Sequence, residues 1–440
     1  MKRFRHVLIL SCGAWRSDAL GAFPGKSRLR RGGRDFSSEI STPFADRLAR
    51  QGRLFVGARS TGCYRSLAHA SIMTGRPPWE HGIRAQFSER LDPGVPTLAE
   101  IFAARGFSTL LASAAPWYFR DSFAGLSRGF ARYVDLSPSR ADRHLEELGH
   151  ALGAGLQGRL FAYIHNENLH DYLQDGTVKE LAAGLQRGSG VDRSNYLYRH
   201  REVFERDDPT EQMSRYVSAL AAWDRDFLGP LLEQLRSLGA LEQAALILVG
   251  DHGEPILPGA PVHDGPGCWL AEESLRVPLI LWAPGALESG EDGRLASITD
   301  VFATALALAG LEPRGGSSTP WGGMDLLSAS SRNAVYAELW ASPRGVRLDG
   351  ELIQRCLRSG KTPVELGLEP DALFQRGLCD GRFKLTRDYF KGEERLCEVS
   401  GGWDRPVADA DAARPARRKL ARLLADAEAA DPAAGPRLSV

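Results

Sequence analysis

The feature that most constrains this chain is the run LILVGDHGEP, Leu246 to Pro255, near the middle of 440 residues. The run begins with four aliphatic side chains and ends abruptly in Gly-Asp-His-Gly-Glu. A continuous apolar segment of this length is typical of a strand buried on both faces of a parallel sheet. Because ligands bind at the carboxyl ends of strands in open α/β sheets, Asp251 and His252 are predicted to lie at a ligand site.

The Asp-His pair has two interpretations. A carboxylate beside a neutral imidazole offers two ligands to a divalent cation, one supplying charge and the other a borderline-soft nitrogen. The same Asp-His-Gly turn can also do no more than end a strand. The Asp-His pair by itself does not distinguish a metal site from a simple strand end.

The segments on either side of this run extend the pattern. RYVSALAAWDRDFLGPLLEQLRSLGAL precedes it, and GCWLAEESLRVPLILWAPG follows it. A helix ending in a Leu-Gly turn, a strand, Asp-His-Gly-Glu and then Glu-Ser-x-Arg-Val-Pro-Leu-Ile resembles the central segment of the sulfatase family, a branch of the alkaline phosphatase superfamily.

That resemblance covers almost the whole chain and implies an α/β fold of the alkaline-phosphatase-like, sulfatase type. The expected architecture is a large, mostly parallel mixed sheet flanked by helices, with a small C-terminal antiparallel subdomain. We therefore expect a catalytic-type domain over residues 1–330 and the small subdomain over 331–440.

The composition agrees with a globular protein and limits the classes of partner that are expected. Hydrophobic residues make up 43% and charged residues 25%, which suffices for one extended core plus a smaller unit. Lys+Arg and Asp+Glu balance at 55 each, so neither nucleic acid nor an anionic membrane is an expected partner. Six cysteines without paired spacing fit reduced thiols. The opening MKRFRHVLILSCGAW has too short an apolar run for an export signal, so a cytoplasmic location is expected.

The first strand and its loop, HVLILSCGAWRSDALGAF, resemble the family's first metal motif, in which one or two Asp end the strand. Arg16 and Asp18 stand where that motif has them. Aligning on these two residues puts Gly13 and Ala14 at the ligand positions. Neither has a side chain that can hold a cation, so half of the family's calcium or magnesium site is predicted to be missing.

A second motif, STGCYRSLAHASIMTGRPPWEHGIR, resembles the family's nucleophile helix, in which a Cys or Ser is oxidised to formylglycine. The residues that fit the motif are His69, Ala70, Ser71, Thr74, Gly75 and Arg76. Counting back four from His69 puts Arg65 at the nucleophile, with Leu67 in place of the motif's Pro. A guanidinium cannot attack sulfur or phosphorus.

Ser66 and Cys63 are the neighbouring alternatives, but neither lies in the Cys-x-Pro-x-Arg context that formylglycine formation requires. We therefore predict that mass spectrometry after co-expression with a maturase shows both residues unmodified. The helix can also be retained purely as scaffold.

Other pocket residues are implied by the resemblance. RLFAYIHNENLHDY matches a Tyr-x-His-x-x-x-x-His pattern, which gives His165 and His170, the second corresponding to a histidine that binds the sulfate or leaving group. Both could equally be ordinary polar loop residues. Where many sulfatases have a catalytic Lys, this chain has Ser113-Ala114-Ala115. The polar insert at 171–213 is expected to be a lid or specificity segment, or a solvated surface segment.

A divalent metal is expected if the site is active, with calcium, magnesium and zinc as the candidates. Asp251, His252, His263 and Cys12 are the predicted ligands. Loops carrying Cys12, Cys63 and Cys268 converge on the pocket in this fold, and thiolate plus imidazole ligands suit zinc. Buried cysteines acting as small apolar residues are the alternative.

Two functions follow from these motifs. The first is hydrolysis of a sulfate or phosphate-type ester at a rebuilt site, with His165, His170, Arg65, Ser66 and Cys63 as candidate catalytic residues. The second is a catalytically silent sulfatase-like protein that binds an anionic ligand or a partner. The sequence names neither the physiological substrate nor the oligomeric state.

Overall fold

A computed structural model describes residues 2–24, 29–31, 34–84, 90–114, 119, 124–136, 143–167, 169, 209–254, 256, 270–312, 316–317, 319–341, 359, 372–389, 392–400 and 403–431. The strands are β1 His6–Cys12, β2 Arg30–Arg31, β3 Arg34–Asp35, β4 Arg53–Arg59, β5 Ser108–Ser113, β6 Arg132–Asp135, β7 Leu160–Asn166, β8 Ala244–Gly250, β9 Leu279–Trp282, β10 Gly290–Ser297, β11 Val335–Ala341, β12 Ala372–Cys379, β13 Phe383–Asp388, β14 Glu393–Ser400 and β15 Trp403–Pro406. The α-helices are α1 Pro43–Gln51, α2 Arg65–Thr74, α3 Pro78–His81, α4 Leu98–Ala104, α5 His144–Leu156, α6 Pro209–Trp223, α7 Gly229–Ser237, α8 Glu272–Leu275, α9 Asp300–Leu308 and α10 Ala410–Ala430.

The main sheet has eight strands in the order β10-β4-β9-β8-β1-β7-β5-β6. All neighbouring pairs are parallel except the two that involve β9. Every residue of β1, β7 and β8 is buried, which explains why these central strands read as near-continuous apolar runs. The predicted mixed, mostly parallel sheet is confirmed.

Helices cover both faces of this sheet and define two hydrophobic cores. On one face Ile72 of α2, Phe102 of α4 and Val301 of α9 pack against the strands. On the other face Leu148 of α5 and Leu231 of α7 do so. Since successive strand residues point to opposite faces, one apolar strand serves both cores.

Local signals set the helix ends. Thr97 begins α4 with a capping box, in which its side chain accepts the Glu100 N–H at 3.2 Å and Glu100 accepts the Thr97 N–H at 2.9 Å. The segment 296–312 is helical only over Asp300–Leu308. Its first two residues still belong to β10, and the Asp300 carboxylate accepts the Ser297 N–H at 2.8 Å between strand and helix.

The second sheet is antiparallel, in the order β11-β12-β13-β14-β15. Leu378 and Leu385 of this sheet pack with Leu420 and Leu424 of α10 into a separate core. The predicted C-terminal antiparallel subdomain is therefore present, and its last helix begins at Ala410. Across the parts of the chain that the structure describes, no helix combines the length and apolarity needed to span a membrane.

Candidate functional site

Three neighbouring strands end at the same level of the main sheet. Cys12 of β1 is in register with Asn166 of β7 on one side and with Gly250 of β8 on the other. The residues that follow, Gly13 and Asp251, therefore share one edge with the end of β7. This carboxyl edge is where an open α/β sheet binds ligands.

A buried group of three polar side chains lies at this edge: His69 from α2, His165 from β7 and Asp251 after β8. One potential metal-ligand atom from each residue lies within 4.8 Å of the other two. His69 Nε2 is 3.7 Å from Asp251 Oδ2. All three side chains are at most 1% exposed. Within the described residues this is the one group of three or more such side chains that close together.

Each member of the group is held by a partner on its far side. His69 Nδ1 is 2.6 Å from the Tyr163 hydroxyl. His165 Nε2 is 3.1 Å from Glu167 Oε1. Asp251 Oδ1 accepts the backbone N–H groups of Ala14 at 3.2 Å and His252 at 2.6 Å.

The inner atoms of two members are left without such partners. Among the described residues, neither His165 Nδ1 nor Asp251 Oδ2 has a hydrogen-bond partner, although both atoms are buried. A buried polar atom left unsatisfied costs about 1–3 kcal/mol. The group therefore contains buried polar atoms whose hydrogen-bonding capacity is unused among the described residues.

Burial also fixes the protonation of His69. Desolvation, with the nearby His165 ring and the Arg65 guanidinium, holds the pKa of His69 well below its usual range, against an opposing effect of Glu167. The imidazole is therefore neutral at physiological pH, with one lone pair for a proton or a metal.

The loop after β1 is held in a strained conformation. Ala14 has φ of 59°, in the left-handed region that non-glycine residues rarely adopt. Tyr216 of α6 holds it, since the tyrosine hydroxyl donates to Ala14 O at 2.8 Å and accepts the Arg16 N–H at 3.0 Å. Such strain is typically found at functional sites.

Arg65, at the position expected for the nucleophile, begins α2 and forms an ion pair with Glu167 at 2.6 Å. The pair is largely buried, because the two side chains are 9% and 18% exposed. Since Glu167 also contacts His165, the pair borders the three-residue group. The position that the sequence resemblance assigns to the nucleophile thus carries an ion-paired guanidinium.

The two neighbouring candidate nucleophiles lie in different surroundings. Cys63 packs with Leu275 and Leu339, and burial raises the pKa of its thiol to about 12, so it is protonated at neutral pH. Ser66 is 1% exposed, and its hydroxyl has no hydrogen-bond partner among the described residues. Neither residue has the thiolate or the activating base that a nucleophile needs.

The other sequence-predicted residues are placed as follows. His252 lies beside the group, with Nε2 3.8 Å from Asp251 Oδ2 and Nδ1 2.7 Å from Gly253 O. The Cys12 side chain packs with Leu8 and Leu10, and burial followed by the charge of Asp251 raises the pKa of its thiol well above the usual range. The predictions for His170, His263, Cys268 and most of the insert at 171–213 fall outside the described residues.

His69 is the site residue that sequence reasoning did not assign. It fits the nucleophile-helix motif at the position that admits Arg or His, but residue spacing alone does not show which side chains it contacts. Its side chain reaches the sheet edge because α2 is buried along its whole length, Arg65 to Thr74.

Comparison with known proteins agrees with this architecture. The family model described as "Sulfatase" matches residues 28–311. N-acetylgalactosamine-6-sulfatase of Canis lupus familiaris is 26% identical over 322 residues, which are 66% of this chain and 61% of that protein. The matched segment thus spans about three fifths of that relative's length.

Two solved structures are similar over nearly their full length. A 2-O GAG sulfatase superposes with a TM-score of 0.68 at 16% identity, covering 98% of this chain and 93% of its own. The phosphonate monoester hydrolase of Agrobacterium radiobacter gives a TM-score of 0.63 at 18% identity, covering 97% and 96%. The fold and the sheet-edge site define a protein of the alkaline phosphatase superfamily. Within it, this chain belongs to the sulfatase family.

Proteins of this family generally bind a divalent metal. Which metal fits this chain depends on the ligand atoms that its site residues offer. Calcium takes six to eight oxygen ligands. Among the described residues the three-residue group contributes one carboxylate and two imidazoles, and Gly13 and Ala14 contribute no side-chain oxygen. These residues do not fit calcium.

Proposed function

We propose that this protein hydrolyses a sulfate or phosphate-type ester at the β1–β7–β8 edge, without a formylglycine nucleophile. The observation that carries the proposal is the buried group His69, His165 and Asp251, with two inner atoms left unpartnered among the described residues. Apolar side chains of similar volume would give a more stable scaffold. Buried polar atoms with unused hydrogen-bonding capacity, beside a histidine whose pKa is strongly lowered, are typical of residues used for binding or catalysis.

In the proposed reaction, water attacks the sulfur or phosphorus atom and the ester oxygen leaves as an alcohol after taking up a proton. Water is the nucleophile because Arg65 is an ion-paired guanidinium and Cys63 is a protonated thiol. The His165 imidazole and the Asp251 carboxylate are the described groups proposed to lie beside the reacting atoms. His69, whose pKa is held low, is a weak base and serves to position rather than to deprotonate.

One observation favours a second function, a catalytically silent protein that binds an anionic ligand or a partner. The Arg65–Glu167 ion pair at 2.6 Å occupies the place where the family's nucleophile helix begins. A fixed ion pair there fills part of the space that an ester's reacting group needs.

Turnover assays on the purified full chain separate the two functions. The panel should contain an aryl sulfate, an aryl phosphate and a phosphonate monoester, each with wild type, Asp251→Asn and His165→Gln. We expect turnover of at least one ester class and a fall of about 10²-fold or more in each variant.

The matched control is His6→Gln. His6 is also a buried histidine, but it starts β1, six residues and about 20 Å from the site edge. Its activity should equal that of wild type. No turnover of any ester, with saturable binding of sulfate or phosphate esters that Asp251→Asn abolishes, would establish the silent function instead. Turnover that is unchanged by Asp251→Asn and His165→Gln would contradict both.

A further inference from the structure

We propose that His69, His165 and Asp251 form a binding site for a borderline transition-metal ion of the zinc type. Two histidines and one carboxylate with an open fourth position are a ligand set that zinc accepts. The oxygen-rich calcium site of the family would thus be replaced by a different site. In the new site, α2 and β7 each contribute one histidine ligand.

The first argument is distance. Zinc binds imidazole nitrogen and carboxylate oxygen at about 2.0–2.2 Å, which in a tetrahedron separates the ligand atoms by about 3.4 Å. His69 Nε2 and Asp251 Oδ2 are already 3.7 Å apart. The ligand atoms of the whole group lie within 4.8 Å of one another, so closure needs shifts of about an ångström.

The second argument is orientation, because the far end of every ligand is already engaged. Tyr163 holds His69 at Nδ1, which leaves Nε2 facing the group. Glu167 Oε1 lies 3.1 Å from His165 Nε2, which leaves Nδ1 as the ring nitrogen available to an ion. A histidine whose second nitrogen donates to a carboxylate is the usual outer-shell arrangement of a metal-bound imidazole.

Asp251 is oriented in the same way, by hydrogen bonds to one of its two carboxylate oxygens. Two backbone N–H groups, from Ala14 and His252, donate to Oδ1 and leave Oδ2, which lies 3.7 Å from His69 Nε2, available to an ion. The strained Ala14 conformation supplies one of these donors. The loop geometry that sequence analysis linked to lost calcium ligands therefore orients the remaining carboxylate.

The third argument is electrostatic. Among the described residues, His165 Nδ1 and Asp251 Oδ2 are buried without hydrogen-bond partners, and Asp251 Oδ2 lies 3.7 Å from His69 Nε2. A dication between them would satisfy both atoms and neutralise the carboxylate. The nearby guanidinium of Arg65 opposes cation binding little, because it pairs with Glu167 at 2.6 Å.

The predicted thiol ligands take no part in this site as proposed. Cys12 packs among Leu8 and Leu10, and Cys63 packs beside Leu275. The described metal-ligand group contains neither cysteine. His252 Nε2, 3.8 Å from Asp251 Oδ2, is the described side chain best placed to reach the fourth position.

The test is metal content, which does not depend on turnover and so can fail separately from the proposed function. The full chain is stripped with a chelator, dialysed against zinc or calcium, and analysed for bound metal by mass spectrometry. Wild type is expected to retain about one equivalent of zinc and no calcium. His69→Gln and His165→Gln should each weaken zinc binding at least 10-fold, as expected for losing a ligand or its close support.

Two controls keep the result interpretable. His6→Gln removes a buried histidine at the opposite end of β1 and should retain the wild-type zinc content. Cobalt(II) loading gives an independent measurement of the same site. A tetrahedral nitrogen–oxygen site shows visible ligand-field absorption, which both site variants should lose. Less than a tenth of an equivalent of zinc in wild type, or equal zinc in wild type and both site variants, would overturn the proposal.

Discussion

At the residue scale, Arg65 illustrates how one position changes the chemistry of a motif. The chain retains the helix and its C-terminal Thr-Gly-Arg but begins it with a cation. A buried guanidinium requires a counter-charge, and Glu167 after β7 supplies it. The pair ties α2 to the end of β7, so a position expected for catalysis also joins two elements.

We predict that Arg65→Met lowers the free energy of unfolding by about 2–3 kcal/mol, because it leaves the Glu167 carboxylate largely buried without this partner. The double variant Arg65→Met/Glu167→Gln should recover part of that loss. Urea denaturation of the metal-free protein measures both. Strictly additive losses in the single and double variants would show that the pair contributes no coupling energy.

At the element scale, α2 and α3 are joined to the end of β4 through a short polar chain. Thr61 donates to the Ser71 hydroxyl at 2.8 Å, and His81 Nε2 lies 3.0 Å from the same hydroxyl. His81 Nδ1 accepts the Ile83 N–H at 3.1 Å, so the ring must be neutral at that nitrogen. Burial, with the charges of Arg84 and Arg76, lowers the pKa of His81 to about 3.

This network makes stability depend on pH. The pKa of His81 is about 3 when folded and about 6.5 when unfolded, so between these values the unfolded chain binds more protons and stability falls as pH falls. His81→Gln should reduce the slope of unfolding free energy against pH, between pH 4 and 6, by about 1.4 kcal/mol per unit. His150→Gln, at an exposed position, is the control and should keep the wild-type slope. Equal slopes for His81→Gln and wild type would contradict the assignment.

At the scale of the whole molecule, the site depends on side chains separated widely in sequence. α2, β7 and the turn after β8 contribute one member each to the group at the sheet edge. The loop after β1 adds one backbone N–H, that of Ala14, at a position where the family resemblance predicts an acidic ligand. Electrostatic stabilisation of a transferring sulfuryl or phosphoryl group requires the full set of charges in place.

We therefore predict that calcium-dependent arylsulfatase activity is absent. Calcium left with one carboxylate among the described members of the group is poorly neutralised. The measurement is hydrolysis of a generic aryl sulfate by the chelated chain with and without added calcium, beside a calcium-dependent sulfatase as positive control. Robust calcium-stimulated turnover that Asp251→Ala abolishes would show that Gly13 and Ala14 were aligned wrongly.

The sequence by itself determined the fold class and the edge of the sheet that carries the site. The apolar run that precedes Asp251 indicates a central strand of a parallel sheet. It can be recognised from the sequence because burial on both faces and a polar strand end are local properties. The sequence also predicts that Gly13, Ala14 and Arg65 depart from the family's motifs, since this comparison rests on residue identity alone.

Only the tertiary structure brought His69 to His165 and Asp251, and showed that Glu167 neutralises Arg65. Each of these contacts joins elements that are distant in the chain, and strand register together with helix burial decides which side chains meet. The direction in which each imidazole presents its lone pair depends on partners such as Tyr163. Hydrogen-bond geometry of this kind has no counterpart in residue spacing.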